Sequence, residues 1–202
     1  MKCGVFACVA SLWLTFAHAT GIAVEEGDLI FQTSRSSQSL AIQQATQSEY
    51  SHMGVVFMRN GRAYVLEANA TVRYTELEQW IDRGEGRHFV VKRLKDAKTL
   101  LTDEAKHKLR DVARSLEGRK YDLTFEWSDD RIYCSELAWK LFDRALGLHI
   151  GELQRMRDFN LSDPAVRSKL RERFGDKVPL DEPVISPVAM FRSPLLVTVA
   201  SR

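Results

Sequence analysis

Apolar and polar positions along this chain divide it into short strands and helices. Gly27-Asp28-Leu29-Ile30-Phe31 reads as a short strand. A polar stretch, Thr33 to Ser39, then leads into a helix around Leu40–Gln47. Two apolar runs follow, Met53–Met58 and Ala63–Ala68, joined through Asn60-Gly61. Asn-Gly between β-type runs predicts a two-residue hairpin, because both residues tolerate the positive φ of a type I′ turn. Phe89-Val90-Val91 predicts a further strand. Thr102 stands where it can cap a helix with apolar positions Ala105, Leu109, Val112, Ala113 and Leu116, and Gly118 follows as the stop.

From Cys134 the apolar positions are Cys134, Leu137, Ala138, Leu141, Phe142 and Ala145. That spacing makes a helix with one buried stripe, ended by Gly147. Ser162-Asp163-Pro164 opens a charged helix with proline at its first position. The tail from Val178 holds four prolines and reads as a surface wrap before a short apolar end, Leu195–Ala200. No internal repeat and no linker-like stretch marks a second domain. The order strand, helix, hairpin, strand, helix, helix predicts an α+β fold, helices packed on a small antiparallel sheet.

The amino terminus reads differently. Lys2 is the only charge before Glu25, and Cys3 to Ala17 is an apolar run of signal-peptide length, short for a membrane span. Ala17-His18-Ala19 offers a small-x-small cleavage site. Residues 1–19 are therefore expected to be a signal peptide, and 20–202 one exported domain, periplasmic or otherwise outside the cytoplasm, with no stable membrane span after cleavage. Of the chain's three cysteines, cleavage removes Cys3 and Cys8. Cys134 remains alone, and no internal disulfide can form.

Composition narrows the function. The 202 residues are 45% hydrophobic and 28% charged, too apolar for a disordered chain. A net charge of +2 with no basic tract argues against a nucleic-acid partner held through its phosphates. HExxH, CxxC, phosphate-loop and GxGxxG patterns are absent, so neither a metal nor a nucleotide cofactor is implied.

The candidate chemistry follows from the hairpin. A two-residue loop at Asn60-Gly61 sets His52 opposite Asn69 and Gly54 opposite Glu67. His52 and Glu67 then share a face as diagonal neighbours, their Cβ atoms about 7 Å apart. Glu67 can reach the imidazole, and Asn69, directly opposite, can do the same. An imidazole oriented by an acid or amide is the base half of a nucleophilic triad. Cys134 offers the other half, because unpaired N–H groups and the macrodipole at a helix start favour a thiolate. The competing reading is a structural cysteine, since Cys134 lies on the apolar stripe. Asp129-Asp130 reads either as a cation or basic-substrate site or as a solvated loop. Trp80, Trp127 and Trp139 read as core or cleft wall.

Five segments carry a family resemblance: GDLIFQTSRSSQS, SEYSHMGVVF, the strand ending VLEA, GRKYDLTFEWSDDRIYCSEL and DEPVISP. Together they resemble the permuted NlpC-like, papain-fold hydrolases of the YiiX/YaeF type, along roughly Glu26 to Leu196. In ordinary papain-like enzymes the cysteine helix precedes the histidine strand. Here His52 comes first and Cys134 later, the circularly permuted order. The resemblance implies Cys134 as nucleophile, His52 as general base and Glu67 as the group that orients it. It also implies Tyr121, in the G-x-x-Y-D element, as a residue lining the oxyanion side. Ser135 and Glu136 match the motif but suit a helix-cap role. The implied function is an exported cysteine amidase or peptidase acting on a small amide or peptide, cell-wall peptide among them. Two alternatives stand beside it. One is a lipid thioesterase or acyltransferase working on an acyl substrate, as in the related lecithin:retinol acyltransferase-like proteins. The other is a catalytically silent binding module.

Overall fold

The computed structural model describes residues 22–202, so the expected signal peptide lies outside the described residues. The elements are β1 (Leu29–Gln32), α1 (Ser39–Thr46), β2 (His52–Arg59), β3 (Arg62–Ala68), β4 (Val72–Glu76), α2 (Leu77–Asp82), β5 (Val90–Leu94), α3 (Ala97–Leu100), α4 (Asp103–Leu116), β6 (Lys120–Tyr121), β7 (Arg131–Ile132), α5 (Cys134–Leu146), β8 (Gln154–Arg155), α6 (Pro164–Phe174), β9 (Pro183–Val184), α7 (Pro187–Phe191) and β10 (Leu196–Ser201). Six strands form one sheet in the order β10-β5-β1-β2-β3-β4. Every neighbouring pair in it is antiparallel. Mixed helix and antiparallel sheet makes the fold α+β, as the sequence predicts.

The hairpin forms as its turn dictates. Asn60 and Gly61 both adopt positive φ, 50° and 74°, and the ladder runs from Arg59↔Arg62 to Val55↔Leu66. This register brings His52 and Glu67 onto one face, as argued from the two-residue loop. Both faces of the sheet are covered. On one, Phe31, Met53, Val55, Phe57 and Leu66 pack in the core shared with α4 and α5. On the other, Ile30, Val56 and Val65 meet Leu77, Trp80 and Ile81 of α2. Double coverage explains why β1 reads as an unbroken apolar run.

The helix signals also hold. Thr102 Oγ1 accepts from Ala105 N at the start of α4, and Asp163 accepts from Ala165 N at the start of α6, where Pro164 fills the first position. Gly147 ends α5 at φ 66°. Two elements escape the hydrophobic pattern. β4, reading VRYTE, mixes charge into its alternation, and α2 has only six residues. The tail departs from expectation too. Rather than wrapping the surface, it buries Ile185 and Met190 in the core beside α5. It then pairs β10 with β5 as an edge strand, with a register shift between Thr198 and Ala200.

Gly54 sits between the two residues that matter on this face. A Cβ there would lie 2.7 Å from the backbone oxygen of Leu66, closer than packing allows, so only glycine fits beside β3. Gly54→Ala is expected to destabilise the fold by about 1–3 kcal/mol through forced displacement of the hairpin. Thermal unfolding checks this, and an unchanged Tm would show that β3 yields freely.

Candidate active site

The centre is built on three elements: the start of β2, the end of β3 and the first turn of α5. His52 Nε2 lies 2.7 Å from Glu67 Oε2, and the ring stacks on Trp80 with centroids 5.8 Å apart. Nε2 is thus committed to the carboxylate, which leaves Nδ1 for the sulfur. Burial alone would lower the His52 pKa. A hydrogen bond with Cys134, the bond to Glu67 and the charges of both outweigh it and raise the pKa to about 9.

Glu67 is fully buried and heavily solicited. Its Oε1 accepts from Thr75 Oγ1 at 2.6 Å and from Arg83, and Arg73 Nε lies 3.8 Å away. Burial pushes a carboxylate pKa up, but the His52 bond and charge, the Thr75 hydroxyl and Arg83 prevail and hold it at about 2. Asn69, the other sequence candidate for orienting the ring, makes no side-chain bond to His52; its backbone turns to Thr71. Glu67 holds the imidazole. The residues that hold Glu67, Thr75 and Arg83, escaped sequence reasoning because β4 and α2 did.

Cys134 opens α5 and is 3% exposed. Its helix start is tied to the carboxy-terminal tail at two points. Ser135 Oγ donates to Ile185 O at 2.8 Å, and Tyr133 Oη accepts from Ile185 N at 3.0 Å. Glu136 Oε2 accepts from Tyr133 N at 3.3 Å, and Lys140 Nζ lies 2.8 Å from its other oxygen. Burial, only partly offset by Lys140, raises the Glu136 pKa to about 7. Ser135 and Glu136 therefore anchor the helix. Tyr121 lies on β6, paired with β7 through Ile132, and its Oη accepts from Gln38 Nε2 at 2.8 Å. Burial first, then the charge of Cys134, raises its pKa, so it stays a neutral phenol.

Two concavities flank these residues. A small cavity of about 90 Å³ lies on the Cys134 side, walled by apolar groups including Ala41, Ile42, Ala45, Phe125, Met156 and Leu170. An open cleft of about 890 Å³ lies on the His52 side and is lined mainly by polar groups.

Asp129 and the three tryptophans have structural partners, as do two histidines away from the centre. Asp129 accepts from Lys140 and Arg144 and so pins the 122–130 loop to α5. Trp80 is core, while Trp127 and Trp139 meet edge to face. His149 bonds Asp143, and His88 meets the Arg202 carbonyl.

These features belong to a known class. The chain is a member of the family of permuted papain-like amidases, the YaeF/YiiX or C92 family, whose profile matches residues 23–200. Within it, the chain is 49% identical over 176 residues to the uncharacterized protein YiiX of Escherichia coli (strain K12), covering 87% of this chain and 86% of that one. The crystal structure of yiiX from Escherichia coli O157:H7, described as a metalloprotein, superposes with a TM-score of 0.84 at 50% identity, covering 88% of this chain and 97% of the other. The donors here fit a metal poorly. With His52 Nε2 and Glu67 engaged, the centre offers one sulfur and one ring nitrogen, short of the four ligands a tetrahedral site takes. Among the described residues no group of three or more His, Cys, Asp or Glu is arranged to hold an ion.

The electrostatics have a defined sign with pH. The depressed Glu67 pKa stabilises the fold above its ordinary 4.5, and that contribution is lost as pH falls towards about 2. The raised His52 pKa stabilises fully below its ordinary 6.5, and that contribution is lost as pH rises through about 9. Glu67→Gln leaves Arg83 and His52 facing a neutral amide. It is expected to cost about 3–5 kcal/mol and to move the His52 ring titration, followed by NMR, well below its wild-type midpoint. A midpoint that stays put would remove Glu67 from the site.

Proposed function

We propose that this protein is an exported cysteine hydrolase that cleaves amide bonds through Cys134, His52 and Glu67. The observation that carries the reading is the His52–Glu67 pair at 2.7 Å, with Cys134 beside it at a helix start. That arrangement suits a thiolate–imidazolium pair. The His-before-Cys order supports a permuted NlpC-like packing, and the apolar leader ending in Ala17-His18-Ala19 supports export. No helix among the described residues is long and apolar enough to cross a membrane.

The reaction runs in two halves. The Cys134 thiolate attacks the carbonyl carbon, and the developing oxyanion faces the N–H groups at the start of α5 and the Tyr121 side. The C–N bond breaks as His52 gives its proton to the leaving amine, which departs with the bonding electron pair. The neutral imidazole then takes a proton from water as the water oxygen attacks the thioester carbon. The C–S bond breaks, the acid leaves, and Cys134 returns as thiolate beside imidazolium. Glu67 acts through His52 and positions the ring.

The apolar cavity beside Cys134 favours a second reading, a lipid thioesterase or acyltransferase on the same thiol. An acyl chain suits walls such as Ile42, Met156 and Leu170. The same acyl-enzyme serves both, and only the acceptor and leaving group differ.

Iodoacetamide labelling mapped by peptide mass spectrometry tests the centre. Cys134 is expected to label at neutral pH, while His52→Ala slows that labelling by about 10²-fold or more. Cys134→Ala should abolish amide hydrolysis. Equal thiol reactivity in the His52 variant, or a thiol sealed against the reagent, would return the protein to a silent binding module. The mass of an adduct trapped on Cys134 separates amide-derived from long-chain acyl groups.

A further inference from the structure

The two concavities share a border at Gln38 and Tyr121 and differ in chemistry. Cys134 lines the apolar cavity and His52 lines the polar cleft. If the hydrolase reading holds, on which this inference rests, reaction geometry assigns a direction to them. The acyl carbon becomes bonded to the Cys134 sulfur, so the acyl half belongs in the cavity. The leaving nitrogen must receive its proton from His52, so the leaving half extends into the cleft.

The cleft's charge is one-sided. Arg35, Arg83 and Lys120 line it against a single carboxylate, Asp82. Asp82 is already paired with Arg87, and Arg83 with Glu67. Arg35 and Lys120 are both exposed, and neither has an ion-pair partner among the described residues. Gln32 forms part of the cleft wall, and its position across the ladder from His52 brings it close to the imidazole. It is 2% exposed, and its amide oxygen, packed against Gly84, has no hydrogen-bond partner among the described residues. The cleft wall thus carries positive charge that no carboxylate among the described residues neutralises.

We propose that the leaving half of the substrate is an amine bearing an anionic group, a carboxylate or a phosphate, read by Arg35 and Lys120. The whole substrate is then an amphipathic N-acyl compound: an apolar acyl group in the cavity, a scissile bond at Cys134 and an anionic amine in the cleft. Opposite charges facing across a solvated cleft add affinity and orientation rather than reactivity.

Binding to the full-chain Cys134→Ala variant, measured by isothermal titration calorimetry, tests this without turnover. The ligands are N-octanoylglycine, N-octanoyl-phosphoethanolamine and the neutral N-octanoylglycinamide. At low ionic strength the preferred anionic ligand is expected to bind about tenfold more tightly than the neutral one. The carboxylate and phosphate arms show which anion the cleft takes. The preference should shrink in about 0.5 M salt and vanish when Arg35→Glu and Lys120→Glu are added. Equal binding of all three ligands, no binding at all, or a preference that survives the charge reversal overturns the proposal. Turnover of the same compounds by the wild-type protein is a separate readout: selective binding of an anionic ligand with no cleavage leaves the cleft assignment standing and removes the hydrolase reading.

Discussion

A single buried carboxylate holds this centre together. Glu67, with no exposed surface, is ionised only because His52, Thr75 and Arg83 converge on its two oxygens. An uncompensated charge at that depth would cost many kcal/mol, so the neighbours are a condition of folding as well as of chemistry. Each comes from a different element: His52 from β2, Thr75 from β4 and Arg83 from just past α2. The carboxylate therefore ties the meander β2-β3-β4 and the helix after it into one unit, and the imidazole orientation is a by-product of that bond.

The second anchor is the start of α5. The proposed reaction needs its N–H groups to face the substrate carbonyl, which depends on where the helix begins, and that place is set from outside. Tyr133 and Ser135 both bond to the backbone of Ile185, fifty residues downstream. Around them, hydrophobic packing through Leu137, Leu141 and Phe142 fixes the helix against the sheet. Precision at the thiol thus comes from short polar bonds, and depth from apolar contact.

How much of this is readable in the sequence depends on the range of the signal. The Asn60-Gly61 turn fixes a register locally, and a register fixes faces, so the His52–Glu67 pairing follows from two residues of turn chemistry. The Thr102, Asp163 and Gly147 helix signals are equally local. β4 and α2 are illegible for the opposite reason. Arg73 and Glu76 interrupt the apolar alternation, and what makes the segment a strand is its neighbour β3, not its own composition. Thr75 and Arg83 vanish with it, and so do the partners that explain why Glu67, and not Asn69, holds the ring. The tail misleads similarly: its four prolines are turn signals, while its burial depends on contacts with α5 that are distant in sequence.

The bond between Ile185 and the start of α5 also imposes an order in time. A chain emerges from the ribosome amino terminus first, and β1, β2 and β3 can pair long before residue 185 exists. Until then the Tyr133 hydroxyl and the Ser135 hydroxyl lack the partners that seat the helix start. Along the chain His52 comes early, Cys134 late, and Ile185, which supports the start of α5, later still. Cys134 is therefore the last of the three residues to acquire its full setting, because that setting includes Ile185.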